Sequence, residues 1–556
     1  MSVDDTPAHG IPEPEGAASV IDTEYEIGQD NIDSSIGPFG YDVHNPVFAI
    51  SSLSIVAFVL IALALHDQAE LVFNGLRNWL TAALDWFFLS AANVFVLFCL
   101  FLIVSPLGKV RIGGRDAVPD YSYVGWFAML FAAGMGIGLM FFGVSEPISH
   151  FSSSLGGPVL ENGIRTDWAP LNGAAGDELA AARLGMAATI FHWALHPWAI
   201  YAVVALSLAL FSFNKGLPLT MRSVFYPIFG ERVWGWPGHI IDILAVFATL
   251  FGLATSLGFG AEQANAGLTY LFGFPDSDYS KVLLIAGITA IAIFSVYRGL
   301  DGGVKLLSEI NMGLAALLLL FVIIAGPTVA ILTGFLDNLW SYVTLLPSLS
   351  NPAGRTDLNF SQGWTAFYWA WWISWSPFVG MFIARVSRGR TVREFIVCVL
   401  LVPSFVCVLW MTAFGGTAIS QLIQDGLTAV SDAPLELKLF VMLENLPLNV
   451  ITSVLGIVLV IVFFVTSSDS GSLVIDTITA GGKVDAPLPQ RMFWCTFEGL
   501  VAIVLLLGGG LGALQAMSVS TGFPFAIILL LACYTTYKGL TDEAEAVSEE
   551  IASAEA

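Results

Sequence analysis

The sequence predicts an all-α polytopic membrane protein with 12 transmembrane helices. Of its 556 residues, 56% are hydrophobic and only 12% are charged, and the mean hydropathy is +0.78. Ordinary soluble domains carry roughly 25% charged residues. The apolar residues also fall into separate blocks of roughly 20 residues, the length that a helix needs to cross a ~30 Å hydrocarbon layer. A membrane β-barrel would show short alternating segments instead.

The apolar blocks define twelve spans with polar connections between them. We place them near residues 47–65, 83–105, 122–143, 182–211, 238–270, 281–296, 310–334, 362–385, 394–418, 449–480, 491–509 and 515–537. An even number of spans leaves both ends of the chain on the same side of the membrane.

Lysine and arginine indicate which side that is, because cytoplasmic loops retain an excess of them. Fifteen of the 21 lie in loops after even-numbered helices, in segment 298–305 or at the C-terminus. We therefore predict a multi-pass protein of the cytoplasmic (inner) membrane with both termini in the cytoplasm. No cleavable signal peptide is expected, because residues 1–46 contain no Lys, no Arg and no apolar run.

Composition also limits the partners. Residues 1–46 are predicted to form a disordered acidic tail, and residues 541–556 a short acidic tail. A net charge of -23 argues against binding to nucleic acid. The five cysteines all lie in apolar helices without metal-ligand spacing, so we expect neither disulfides nor zinc.

Glycines interrupt the third span at 134, 136 and 138, where each disfavours a helix by ~1 kcal/mol. Two interpretations remain open. The backbone could unwind beside a polar cavity and offer its carbonyl groups to a cation. Alternatively, the small residues could simply let helices pack closely.

Aromatic residues are concentrated in the eighth span, which Pro377 interrupts. On a helix, Trp371, Trp375 and Trp372 project at about 0°, 40° and 100°, so three indoles share one face. A tryptophan belt at the membrane surface is the ordinary alternative. We favour a cage, because the cluster lies inside the span and indole faces attract quaternary ammonium groups.

A second aromatic group lies in the fourth span. Trp193, Trp198 and Tyr201 fall within about 140° of arc around a proline and could line the route to the cage. His192 and His196 are one turn apart, but no third metal ligand is nearby in the sequence, so we interpret them as structural.

The tenth span contains a polar run, Thr466 to Ser472, inside a long apolar helix. Hydroxyl and backbone oxygens suit sodium, although Ser and Thr also bond to their own helix backbone. Asp469 lies within this run, and an intramembrane carboxylate is a functional hypothesis by default.

These segments resemble the betaine/choline/carnitine transporter family over residues 45–537. The similarity lies in residues 132–138 (AAGMGIG), 191–198 (FHWALHPW), 368–378 (YWAWWISWSPF), 384–390 (ARVSRGR) and 466–467 (TS). It implies a LeuT-like fold of two inverted five-helix repeats, residues 122–350 and 351–540, preceded by two extra helices in residues 47–121. It also implies a homotrimer.

The resemblance further implies which residues bind solutes. The betaine cage would comprise Trp371, Trp372 and Trp375, with Trp193, Trp198 and Tyr201 above it and a contact from Met135. One sodium would bind the backbone of Ala132, Met135 and Phe463 and the hydroxyls of Thr466 and Ser467. A second sodium would use Thr249 and Phe378, but Leu253 removes one oxygen there, which leaves the stoichiometry open.

The expected function is sodium-coupled uptake of glycine betaine or a related quaternary ammonium or sulfonium compatible solute. Na⁺ would be the coupling ion, and no organic cofactor is expected. The alternative is a proton- or potential-driven choline or carnitine transporter, whose relatives often carry an acid where this chain has Gly138. We expect Gly138 to leave space beside the cage. Isolated polar clusters argue against a channel, and the lack of a catalytic partner for Asp469 argues against an enzyme.

Overall fold

The structure, a computed structural model, describes residues 11–555 except 38, 299–304 and 485. Its first helices are α1 Val47–Ala64, α2 His66–Val104, α3 Tyr123–Gly134, α4 Ile137–Gly156, α5 Glu178–Trp193, α6 Leu195–Ala209, α7 Tyr226–Phe229, α8 Trp236–Phe272, α9 Asp278–Arg298, α10 Lys305–Ala325 and α11 Thr328–Leu349. The later helices are α12 Leu358–Phe360, α13 Ala366–Arg385, α14 Val392–Asp425, α15 Ala429–Asp432, α16 Lys438–Glu444, α17 Asn449–Thr479, α18 Leu488–Leu507 and α19 Gly510–Glu555. Two antiparallel hairpins pair β1 Asn31–Ile36 with β2 Phe39–His44, and β3 Leu160–Glu161 with β4 Ile164–Arg165.

Twelve spans are consistent with these helices, although one predicted span needs correction. The predicted span 310–334 is divided, because α10 ends before Gly326 and Pro327 and α11 is a separate helix. Helix α11 is long and apolar enough to cross a membrane, but it exposes Asp337 and Trp340 at its middle, which favours the membrane surface. Helix α13 is less apolar because of its Trp, Ser and Pro residues, yet it is buried inside the bundle. Helices α3 and α4 form one broken span, bent by 62°.

The packing contacts are symmetric between two sets of five spans. The first set is α3–α4, α5–α6, α8, α9 and α10, and the second is α13, α14, α17, α18 and α19. In each set the first span packs on the second span of the other set: α13 packs on α6, and the broken span α3–α4 packs on α14. The fourth span of each set packs on the third span of the other: α9 packs on α17, and α18 packs on α8. Likewise, α10 contacts α17 as α19 contacts α8. A repeat with an odd number of spans must enter the membrane from the opposite side the second time. The packing thus fits two inverted repeats, preceded by α1 and α2.

The described part of the N-terminal tail, residues 11–46, is ordered, contrary to the prediction. It forms the β1–β2 hairpin, and the Tyr25 ring stacks on Trp234 with ring centroids 4.2 Å apart. Asp42 pairs with Lys483 at 2.5 Å. The tail lacks an apolar run of its own, but it gains aromatic and ionic partners from the loops on which it lies. Residues 1–10 fall outside the described part.

The acidic C-terminal segment continues α19 as a helix to Glu555. The hydroxyl of Ser19 donates to Oε1 of Glu543 at 2.6 Å, and Lys215 lies 3.2 Å from the same oxygen. These contacts place residue 19 and the C-terminal helix on the same face of the molecule. An even number of spans requires this arrangement.

Candidate functional site

The glycine break in the third span is a real interruption of the helix. Helix α3 ends at Gly134 and α4 begins at Ile137, and between them Met135 (φ −94°, ψ 135°) and Gly136 are extended. Gly134 also packs closely, since a Cβ there would lie 3.3 Å from Pro403. The unwinding and the close packing that the two interpretations predicted therefore both occur, at different positions, and cation binding by the freed carbonyls stays a prediction. The unwound pair faces a cavity, and Gly134 allows close packing.

Aromatic rings from the fourth and eighth spans meet beside this break. Trp193 stands nearly perpendicular to Trp372, with ring centroids 5.0 Å apart, and perpendicular to Trp371 at 6.4 Å. Trp371 and Trp372 are roughly parallel at 5.6 Å, and Tyr201 meets the edge of Trp372 at 5.6 Å. These rings, with Trp198, surround a cavity of about 40 Å³ that we call the cage. Segments almost 180 residues apart in sequence thus form one aromatic site.

Gly138 borders the cage, but the space that we expected beside it is filled. A Cβ at Gly138 would lie 2.7 Å from Cη2 of Trp193 and 3.2 Å from Cη2 of Trp371. The indoles occupy the place that a side chain would need. Glycine at this position therefore allows the cage walls to approach the backbone, and the expectation of open space was wrong.

Trp375 lines the cage with its two neighbours and also makes contacts outside it. Its ring meets the edge of Phe378 at 5.3 Å, and its Nε1 donates to the carbonyl of Gly252 at 2.8 Å. Trp375 lines the cage and also a second, larger cavity of about 210 Å³. The box that was expected from three indoles of one helix is completed by Trp193, and Trp375 forms the partition between the two cavities.

The second cavity contains every residue that the sequence suggested for a first sodium site. Its wall includes Ala132, Met135, Phe463, Thr466 and Ser467. The Thr466 hydroxyl donates to the carbonyl of Val462 at 3.0 Å, so its oxygen can still accept a cation. The broken end of α3 and the middle of α17 thus line a common space.

The residues suggested for a second sodium are not arranged in the same way. Phe378 lines the second cavity, but Thr249 lines neither cavity among the described residues, and its hydroxyl donates to the carbonyl of Ala245 at 2.8 Å. Leu253 packs against Gly471, where a Cβ would lie only 2.2 Å from a Leu253 methyl carbon. Apolar contact occupies this part of the interface between α8 and α17.

Comparison with known proteins agrees with this architecture. The model of the betaine/carnitine/choline family of transporters matches residues 46–545. The chain belongs to this family. A glycine betaine/proline/choline transporter of Vibrio parahaemolyticus is 71% identical over 96% of this chain and 97% of that protein. Glycine betaine transporter 1 of the same organism is 54% identical over 94% and 98%, and a glycine betaine transporter of Bacillus subtilis is 42% identical over 89% and 94%. As a member of this family the chain is a multi-pass membrane transporter and not an enzyme.

A buried carboxylate that was not predicted from the sequence, Glu146, supports the cage. Oε2 of Glu146 accepts hydrogen bonds from Nε1 of Trp193 at 2.7 Å and from the Tyr368 hydroxyl at 2.5 Å. Its Oε1 lies 2.6 Å from Nδ1 of His192 and 3.2 Å from Nε2 of His150. Glu146 is fully buried. It holds the rear edge of one cage wall in place.

Glu146 was missed because the predicted third span ended at residue 143. Helix α4 instead continues through Pro147 to Gly156, which brings Glu146 and His150 inside the bundle. A lone acid directly after an apolar run was the available signal. Glu146, His150 and His192 have ligand atoms within 4.8 Å of one another, but hydrogen bonds within the cluster already use these atoms. His196 is separate from them and pairs with Asn93 at 2.9 Å.

Asp469, the intramembrane carboxylate that the sequence suggested as a functional group, is held by side chains of neighbouring helices. It forms an ion pair with Arg491 and accepts a hydrogen bond from Ser295 at 2.8 Å. It does not line either cavity. Both oxygens of this buried carboxylate therefore have partners, and Asp469 joins α17 to α18 and α9 behind the polar run.

Proposed function

We propose that this transporter takes up glycine betaine, or a related quaternary ammonium or sulfonium compatible solute, coupled to sodium. The observation that carries the proposal is the cage, in which aromatic rings from the fourth and eighth spans surround one small space beside a helix break. Relatives at 71%, 54% and 42% identity bear the names of glycine betaine carriers, which supports the same substrate class.

The cage suits a diffuse cation that carries its own negative group. Each desolvated contact between an indole and an ammonium group contributes ~0.5–2 kcal/mol. No acidic side chain lines the cage among the described residues. The Glu146 carboxylate lies behind Trp193, and its oxygens are already hydrogen-bonded. The ammonium group is therefore recognised by aromatic faces, and a zwitterion's carboxylate meets no lining carboxylate.

Accumulating a neutral zwitterion requires a coupling ion, because the membrane potential alone does no work on it. One co-transported cation contributes ~2.3 kcal/mol per 100 mV, and a tenfold ion gradient adds ~1.4 kcal/mol. A single sodium would therefore support an accumulation of about 10² to 10³-fold. The oxygen-lined wall of the second cavity supports one sodium site, and the apolar contact between Leu253 and Gly471 favours a stoichiometry of one.

The proposal includes an orientation. The excess of Lys and Arg in loops on the face of the termini supports a cytoplasmic location for both ends, in the inner membrane. The second cavity then lies on the cytoplasmic side of the cage, because it borders the start of α10 and the end of α13, next to those basic segments.

The purified chain in proteoliposomes gives a direct test. We expect an inward sodium gradient to drive uptake of labelled glycine betaine, and an equal potassium gradient not to do so. A panel with choline, carnitine and a sulfonium analogue ranks the substrates. Uptake that ignores sodium and follows an inward proton gradient or potential, with choline preferred over betaine, would establish the alternative of a proton- or potential-driven choline or carnitine transporter.

A further inference from the structure

One polar side chain in the second cavity has no partner. Asn311 lies on α10, its exposed fraction is 1%, and neither Nδ2 nor Oδ1 forms a hydrogen bond with any described residue. Leaving a buried amide without a partner is costly, so nearly all such groups in native proteins are satisfied. Asn311 lines the second cavity. Its free amide therefore points to a ligand in that space.

The shape and lining of the second cavity indicate the kind of ligand. The cage, at about 40 Å³, holds no more than a few water molecules in this conformation. The second cavity is about 210 Å³. Aromatic rings of Trp375 and Phe378 form part of its wall, and Ser308 and Asn311 on α10 present polar groups. No charged side chain lines it among the described residues, so no acidic side chain in the wall repels the carboxylate of a zwitterion.

We propose that the second cavity is a separate subsite for the same zwitterion. Asn311 Nδ2 and the Ser308 hydroxyl donate hydrogen bonds to the carboxylate, while the ammonium group rests against Trp375 and Phe378. This inference rests on the proposed function, because it presumes a betaine-type substrate. Trp375 is shared by both cavities, so a solute leaving the cage enters this subsite without losing its aromatic contact.

The obvious competing ligand for Asn311 is the sodium ion, through Oδ1. The oxygen atoms suggested for sodium come from α3 and α17, whereas Asn311 and Ser308 come from α10. The two readings predict different effects of a single substitution. Asn311→Asp keeps an oxygen for a cation but replaces the donor that a carboxylate needs with a negative charge.

The test measures glycine betaine and choline uptake by full-length variants in proteoliposomes, with sodium titrations for each. For Asn311→Asp we expect the KM for betaine to rise about tenfold or more, while the KM for choline, which has no carboxylate, stays the same or falls. The betaine-to-choline ratio should change more than the sodium concentration for half-maximal uptake, which the added negative charge can only lower. Ser308→Ala should shift the betaine-to-choline ratio in the same direction by a smaller factor. Asn338→Asp is the matched control, since Asn338 on α11 bonds to Thr412 at 3.0 Å and lines neither cavity.

Each outcome has a defined meaning. An unchanged betaine-to-choline ratio in Asn311→Asp overturns the subsite. If the sodium concentration for half-maximal uptake changes while that ratio stays fixed, Asn311 is an ion ligand instead. If Asn311→Asp does not fold, the ratio in Ser308→Ala decides in the same way. Failure of the wild-type chain to transport betaine or choline would refute the proposed function instead.

Discussion

Replacing Gly138 with alanine is the most direct test of the cage, because the structure sets the size of the effect. The new Cβ would lie 2.7 Å from Cη2 and 3.3 Å from Cζ3 of Trp193, and 3.2 Å from Cη2 of Trp371. Trp193 cannot move freely, since its Nε1 is bonded to Glu146 at 2.7 Å. Overpacking of this kind costs ~1–3 kcal/mol. If the cost falls on the substrate-bound geometry, affinity should drop about fivefold to more than a hundredfold.

The assay is the KM for glycine betaine in proteoliposomes, together with direct binding measured by tryptophan fluorescence. Gly136→Ala is the matched control from the same segment, because a Cβ there meets no atom within 4 Å and the extended backbone accepts any residue. We expect a much smaller change in that variant. A wild-type KM in Gly138→Ala, or an equal rise of the KM in both variants, would refute the reasoning. The positions of the indoles would then not depend on the absence of a side chain at residue 138.

Three further predictions address the partition, the ion site and the buried acid. Trp375→Leu should weaken betaine binding about tenfold. Trp86→Leu is the control, because the Trp86 side chain is 56% exposed, and it should leave binding unchanged. Equal binding curves for the two variants would remove Trp375 from the site. Thr466→Ala combined with Ser467→Ala should raise the sodium concentration for half-maximal uptake and leave the betaine-to-choline ratio unchanged, and an unaltered sodium titration would contradict the ion assignment. Glu146→Gln should raise the betaine KM about tenfold or more, because an amide NH2 group, which only donates, would replace one carboxylate oxygen and disturb its bonds to His192 and His150 or to Trp193 and Tyr368. A wild-type KM would show that the cage does not need this support.

Much of the fold and part of the site followed from local sequence patterns. Spans could be predicted because the bilayer requires long apolar helices, and the glycine break because Gly134 and Gly136 act on the backbone itself. The pairing of the two aromatic segments needed the family resemblance. Helical angles alone placed Trp375 in the cage with its neighbours, but they did not indicate its hydrogen bond to the Gly252 carbonyl on another helix or the second cavity that it also lines.

What the sequence could not provide were contacts between distant segments. The N-terminal tail was predicted to be disordered because it lacks an apolar run, yet Tyr25 finds Trp234 in a loop some 200 residues later. Glu146 gave only a weak signal, because its importance lies in the side chains that it joins, Trp193 and Tyr368. The composition of a segment indicates only how that segment behaves by itself. Tyr25 and Glu146 depend on contacts with distant segments, which form only in the folded protein.

The position of Trp375 also suggests how the two cavities are linked. Its indole separates them, and it is held by a hydrogen bond to α8, where a Cβ at Gly252 would lie 2.9 Å from its Cδ1. Helix α8 belongs to the first repeat and α13 to the second, so relative movement of the repeats must change this contact. Trp375 lines both cavities, as Ala133 and Met135 do, so the proposed route of the solute runs past this indole. The residues suggested for sodium line the same second cavity, so the proposed ion site and the proposed solute route lie side by side next to this indole.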